Sequence, residues 1–293
     1  MSKTFLSNTI WYLLLMLVSL AVLSAALIKA RDRRFAFAFW LAVLGFFYCI
    51  EIILLEVLKA YTYYPGLVED HFQDSVLGNF FSQISVSSTA LLFCVLDLAG
   101  WWIFIFSAAY FAIDALFVSL GIYAHNWYCS FYTLAGFIPL FWFAGKWYRG
   151  FLLYPEKRVF YPSLFLGVFA AAGNTAITPL KLTGIQVFAA GLAGEASEDH
   201  LITALIYGPA LALVMIRLIA SKERVSRKLF FLSLLFAFQL LLCGLGLIRV
   251  KPGWLIPAAL IDISSYFLWA AVLSRWLKPR ALMPSGRRIK ILA

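Results

Sequence analysis

The chain is 293 residues long, 63% hydrophobic and only 13% charged, with a mean hydropathy of +0.90. Soluble domains carry about 45–50% apolar and about 25% charged residues, so a soluble enzyme or binding module is excluded and an integral membrane protein is expected. The formal charge of +10 would suit nucleic acid, but the placement of the basic residues fits membrane topology instead, and no nucleic-acid partner is expected.

Apolar windows of about 20 residues, the length needed to cross about 30 Å of hydrocarbon as a helix, predict nine spans in chain order: Ile10–Ile28, Phe35–Leu58, Asn79–Leu98, Trp101–Gly121, Trp127–Gly145, Tyr161–Leu180, Leu201–Ala220, Leu229–Leu247 and Trp254–Leu273. The first is longer than the core of a signal peptide and its basic start is only Lys3, so it reads as an uncleaved anchor. A membrane β-barrel would need alternating segments of about ten residues, which the chain lacks. The expected fold is therefore all-α: a polytopic helical bundle of about nine transmembrane helices. Trp101, Trp102, Trp127, Trp147, Trp254 and Trp276 fall near span ends, where interfacial tryptophans belong.

Alternate loops differ in charge. One set holds 19 Lys and Arg, in the clusters Lys29–Arg34, Lys146–Arg158, Arg217–Lys228 and Arg275–Lys290; the other holds five, Lys3, Lys59, Lys181, Arg249 and Lys251. The positive-inside rule then places the N-terminus outside and the C-terminus in the cytoplasm. The chain reads as one membrane domain over 1–293. The best internal boundary is the segment Lys146–Arg158, separating a five-helix half (1–150) from a four-helix half (151–293). The tripeptide Glu-Asp-His occurs at Glu69–His71 and again at Glu198–His200, but the flanking residues do not match, and it is read as coincidence. The four cysteines (Cys49, Cys94, Cys129, Cys243) show no CxxC spacing and read as small buried apolar residues.

The longest polar interruption in the first half is Tyr61–Gln83. Pro65 fixes φ and Gly66 can take φ > 0, the pairing of a type II turn, so an ordered outer loop is expected. Asp74 or Asn79 is placed to cap the third helix. Tyr61, Tyr63 and Tyr64 are expected at the headgroup boundary, with His125 in another outer loop.

The features Tyr64-Pro65, Asp74, Gly78 and Ser82-Gln83, then Leu120–Trp127 (LGIYAHNW), Tyr132-Thr133 and Lys146–Tyr148, with Asp114 upstream of the LGIY stretch, resemble a family of uncharacterised multi-pass membrane proteins of spore-forming Gram-positive bacteria. The resemblance covers about residues 35–150. It implies a bacterial cytoplasmic membrane and, since that family has no assigned activity, no chemistry.

Acids inside spans cost about 2.5–3.5 kcal/mol for an aspartate at a helix centre and usually face the bundle interior. Glu56 beside Lys59 and Asp97 at a helix end have interfacial explanations; Glu51, Asp114 and Asp262 do not. At about 1.5 Å per residue these three and Asn174 fall at one depth, about 10–12 Å below the outer surface. Ser107, Tyr110 and Asp114 share one helix face, and no charged residue stands near Asp114 in sequence. The expected ligand-binding set is thus Glu51, Tyr110, Asp114, Asn174 and Asp262, lining either an outward pocket for a small ligand or cation or a packing interface of hydrogen-bonded polar groups. Gly173 and Pro179 are expected to weaken the outer end of the sixth helix. His71, His125 and His200 lack metal-site spacing, and no nucleophile, Walker or dinucleotide motif is present, so no metal and no cofactor is expected. Three functions stay open: a ligand-binding or transport protein, a non-catalytic scaffold or sensor subunit, and, last, an enzyme acting on lipid or wall precursors with paired carboxylates as acid and base.

Overall fold

A computed structural model describes residues 8–153, 156–221 and 223–278. The readings of Lys3, Pro155, Lys222 and the basic tail from Arg280 to Lys290 lie outside those residues. Among the described residues there are nine long helices: α1 (Ile10–Lys29), α2 (Arg33–Val57), α3 (His71–Val95), α4 (Trp102–Ser119), α5 (Ser130–Leu153), α6 (Lys157–Leu182), α7 (Ala196–Ala220), α8 (Val225–Gly244) and α9 (Leu255–Trp276). All but α5 are long and apolar enough to cross a bilayer. In α5, Tyr132, Thr133, Gly136 and Pro139 dilute the hydropathy, and these residues line a cavity described below.

Among the described residues there are also four short strands: β1 (Tyr61–Tyr63) pairs antiparallel with β2 (Tyr123–His125), and β3 (Gln186–Phe188) with β4 (Ile248–Val250). Each strand follows or precedes a helix end, so backbone groups that leave the helices are satisfied at once.

The strands expose an internal repeat with a constant spacing of 125 positions. Tyr63 N–H donates to Ser75 Oγ (3.1 Å), and Phe188 N–H donates to His200 Nδ1 (3.0 Å). Tyr64 N–H reaches Ile122 O and Ala189 N–H reaches Leu247 O, both at 2.9 Å. Gly66 and Leu67 donate their N–H groups to Asp74 (2.8 and 2.7 Å); Gly191 and Leu192 donate to Asp199 (3.0 and 2.7 Å). Gly66 and Gly191 share a left-handed backbone (φ 71° and 73°), which a residue with a Cβ adopts only at a cost. The helices α3 and α7 begin and end 125 positions apart. The first repeat is therefore α2–β1–α3–α4–β2–α5, the second α6–β3–α7–α8–β4–α9, and α1 is extra. The two Glu-Asp-His tripeptides are not equivalent, being 129 apart; it is Asp74 and Asp199 that correspond.

Both repeats run in the same direction. Lys59 Nζ contacts Glu198 Oε1 at 2.6 Å, and Ser197 Oγ donates to Asp70 Oδ2 at 2.5 Å, so their strand-bearing ends lie side by side. The halves meet where α2 packs on α6. There Gly45 lies so close to the Leu166 carbonyl that no side chain fits, and Gly167 faces Ala42 and Ala38. The first helix packs on α3. Its Asn8 Nδ2, Thr9 Oγ1 and Tyr12 hydroxyl donate to the carbonyls of Tyr64 (2.9 Å), Pro65 (2.7 Å) and Ile122 (2.7 Å).

Two local expectations are corrected. The third helix starts at His71, eight residues before Asn79, and its cap is Asp70, whose carboxylate accepts from Gln73 N–H at 2.9 Å. Asp74 lies in the first turn instead and uses its carboxylate to fold the Pro65–Val68 loop back on the helix, a stronger reason for an ordered loop than the turn alone. The weakening expected near Gly173 is a π-helical segment, Gly173–Ile177. A second one, Ile52–Val57, ends α2 without glycine or proline to announce it.

Candidate functional site

The first repeat encloses a cavity of about 470 Å³ at its strand-bearing end, between α1 and the four helices of the repeat. That is within the usual 300–1,000 Å³ of small-molecule sites. Glu51 sits where α2 passes into its π-helical end, and the Tyr61 hydroxyl on β1 donates to Glu51 Oε2 at 2.6 Å. Asp114 on α4 is held by the start of α5: Ser130 Oγ donates at 2.8 Å to one oxygen and Thr133 Oγ1 at 2.6 Å to the other. His125 on β2 brings Nε2 within 3.1 Å of Asp114 Oδ1, near enough for an ion pair when the imidazole is protonated but not aligned as a hydrogen bond. Tyr110, one turn before Asp114, shares its hydroxyl with Ser85 and Thr89 of α3 at 3.0 and 2.8 Å.

The walls are aromatic. Tyr63 and Tyr123 stack face to face across the β1–β2 pair with centroids 4.7 Å apart, and Tyr61 meets Tyr128 edge-on at 5.0 Å. Burial pushes the Tyr61 and Tyr123 phenols well above 10 and Tyr128 up to about 12, so near neutrality these rings are uncharged. Seven tyrosines, three phenylalanines and Trp127 line the cavity beside Glu51 and Asp114, and among the described residues no Lys or Arg does. Trp127 and Tyr132, each 52% exposed, stand at its rim.

The expected single pocket is divided. Glu51, Tyr110 and Asp114 share this cavity. Asn174 borders a second one of about 340 Å³ between the repeats, where its Nδ2 donates to the Tyr48 hydroxyl at 3.0 Å; Glu51 and Glu56 line it as well. That cavity is lined by corresponding residues of both repeats (Ile52 and Ile177, Val76 and Leu201, Phe80 and Leu205), which puts it on their pseudo-two-fold axis. Asp262 belongs to neither cavity: it is fully buried in the second repeat, where Gln186 and Gln239 donate their Nε2 groups to its Oδ2 at 2.6 and 2.9 Å. A shared depth did not mean a shared site, because the three acids lie on helices of different repeats. Asp114, expected to lack charged neighbours, has His125 beside it.

Of the outer-loop residues, Tyr64 is exposed and Pro65 is buried against Thr9, while Tyr61 and Tyr63 point inward. Placing all three tyrosines at the headgroup boundary is corrected by strand geometry: alternate residues of β1 face opposite sides, and 61 and 63 face the cavity. Tyr12, Tyr123 and Tyr128 were missed as wall residues, as were Gln186 and Gln239 as partners of Asp262. No group of three or more His, Cys, Asp or Glu suited to a metal ion occurs among the described residues, and the four cysteines are unpaired with one another.

No protein-family model, curated protein or solved structure matches this chain.

Proposed function

We propose that this chain is a multi-pass protein of a bacterial cytoplasmic membrane that binds a small amphipathic organic cation in the cavity of the first repeat. The observation that carries this reading is the lining: two carboxylates and seven tyrosines, with no lysine or arginine among the described residues. An ammonium group is attracted to aromatic faces and to carboxylates alike, with each aromatic contact contributing about 0.5–2 kcal/mol, and the apolar wall suits the rest of such a ligand. An anion would meet two acids without a compensating charge. The basic loops at the other end of the bundle support placing the strand-bearing end, and the mouth with it, outside the cell.

The test is thermal unfolding and intrinsic tryptophan fluorescence, with Trp127→Phe as the control for the signal from the rim, of the purified protein with benzyltrimethylammonium and with neopentylbenzene, its uncharged carbon isostere. The cation is expected to raise Tm and bind at least about tenfold more tightly than the isostere, a difference of about 1.4 kcal/mol. Asp114→Asn and Glu51→Gln are expected to remove most of that preference. Equal binding of the isostere, or a double variant that binds the cation unchanged, overturns the reading. For orientation, a cysteine at Glu195 is expected to react with an impermeant reagent on intact cells and one at Arg227 to be protected; the reverse pattern inverts the topology.

A further inference from the structure

The second repeat holds a group of buried oxygens that its own hydrogen bonds leave unsatisfied. Asp262, Gln186, Gln239 and Tyr266 are each at most 1% exposed. Both glutamines donate their Nε2 groups to the same carboxylate oxygen, Oδ2. That leaves Asp262 Oδ1, Gln186 Oε1, Gln239 Oε1 and the Tyr266 hydroxyl without partners. An amide nitrogen and oxygen are about 2.3 Å apart by covalent geometry, so both Oε1 atoms lie within about 5 Å of Oδ2. The Tyr266 side chain is one helical turn beyond Asp262, and its hydroxyl lies 2.7 Å from where a Cβ at Gly208 would stand.

Three of the four orphans are pure acceptors, and only the tyrosine hydroxyl can donate. A water molecule supplies two donors and no charge, so it cannot satisfy the set. The carboxylate also lacks a cationic partner among the described residues: the titratable groups around it are Tyr207, Cys243 and Tyr266. An ion left unpaired at this depth is expensive. What answers both deficits is one positive charge that accepts oxygen lone pairs from several directions.

We propose that Asp262, Gln186, Gln239 and Tyr266 form a binding site for one hard monovalent cation, for which sodium is the probe. Oxygen-only ligands select a hard cation. One carboxylate balances a single charge, so a divalent ion would leave a net positive charge buried, and calcium seeks six to eight oxygens. The site is separate from the cavity of the first repeat and does not depend on what that cavity holds.

The experiment is binding of radioactive sodium to the full-length protein in detergent micelles, together with Tm in sodium and in choline chloride at equal ionic strength. The expected result is saturable binding of about one sodium per chain, displaced by lithium and not by choline, with a matching sodium-dependent rise in Tm. Binding is expected to weaken toward about pH 5, because a proton competes for the carboxylate. Asp262→Asn should abolish it, and Gln239→Leu, which keeps the acid, should weaken it at least about tenfold. Asp114→Asn should still bind sodium even if it no longer binds benzyltrimethylammonium, which separates this site from the first. Absence of sodium binding by the wild-type protein between about pH 5 and 9 would overturn the proposal. Sodium binding that survives in Asp262→Asn, or in Gln239→Leu at unchanged affinity should the first variant not fold, overturns it too.

Discussion

The two repeats use one backbone for opposite ends. Each folds its loop on an aspartate, Asp74 or Asp199, and seals it with a pair of three-residue strands. Inside that frame the side chains diverge. Where the first repeat has Glu51, Tyr61, Asp114 and Thr133 around an open cavity, the second has Ala176, Gln186, Gln239 and Ala258. Its acid has moved one helix along, to Asp262, at the position held by Phe137 in the first. Gly208, opposite Gln83 in the repeat, leaves room for Tyr266 to fill the interior. The lesson is that the loop clamp and strand pair specify the frame, while a handful of interior substitutions decide whether it encloses space or excludes it.

The comparison is broken most severely at the clamps. Asp74→Ala leaves three backbone N–H groups without their charged acceptor; at about 1.5–3 kcal/mol for each such bond, partly recovered by water, the loss should be about 3 kcal/mol or more in denaturant unfolding. It should also abolish benzyltrimethylammonium binding, since β1 forms the cavity wall. Asp199→Ala opens the matching loop of the second repeat and should lower Tm while leaving ligand affinity within about twofold, as expected of a distant site.

Next comes the seam. Gly45→Ala places a methyl on the Leu166 backbone, which cannot yield, and should cost about 1–3 kcal/mol. Gly167→Ala meets the end of a flexible side chain, Leu273 Cδ1 at 3.1 Å, and should cost less than about 1 kcal/mol; equal costs would mean that α2 and α6 do not pack as described. Smaller still is the Lys59–Glu198 bridge between the repeats, whose lysine is 53% exposed. Lys59→Met should lower stability by about 0.2–1 kcal/mol, and less at high salt.

The smallest effect is one of pH. Partial burial pushes the Asp70 carboxyl up, but hydrogen bonds from Ser197 and from the backbone and side chain of Gln73 outweigh it and hold the group below the usual carboxylate range. A lowered folded-state value means that its contribution is present above the unfolded value of about 3.9 and is lost as pH falls below that. Asp70→Asn should lower Tm slightly at neutral pH, where the ionised carboxylate contributes, and flatten the fall of the Tm profile below about pH 4, where the two proteins converge.

Eight spans were legible because length and hydropathy alone dictate them, whereas α5, read as a span over Trp127–Gly145, falls short of that hydropathy. Glu51 and Asp114 were legible because an acid in an apolar run stands out, and Tyr110 because it shares a helix face with Asp114. The start of α3 was hidden because the polar run His71–Asp74 reads as loop: Asp74 turns back on the Gly66–Val68 backbone just before it, and the partner of Gln73, Ser197, lies in the other repeat. The tyrosine wall was hidden by lack of contrast in a chain that is 18% aromatic. The repeat was hidden because membrane helices accept almost any apolar residue. Only positions with a backbone duty coincide clearly at the 125 spacing, such as Gly66 and Gly191, Asp74 and Asp199, or Gly121 and Gly246. Which acids share a cavity depended on that symmetry and could not be read from depth.

The seam between α2 and α6 is, in effect, a homodimer interface carried inside one polypeptide. Each repeat has four long helices, so α5 ends on the face where α6 begins, and three residues suffice to join them. A true two-fold dimer must tolerate every substitution twice, once on each side of its axis. Covalent fusion lifts that constraint and raises the effective concentration of the two units, so the contact needs little intrinsic affinity. Gly45 can press against Leu166 while its counterpart Ala170 keeps its methyl group. Asymmetry at the joint is what leaves one unit free to keep a cavity and the other free to close it.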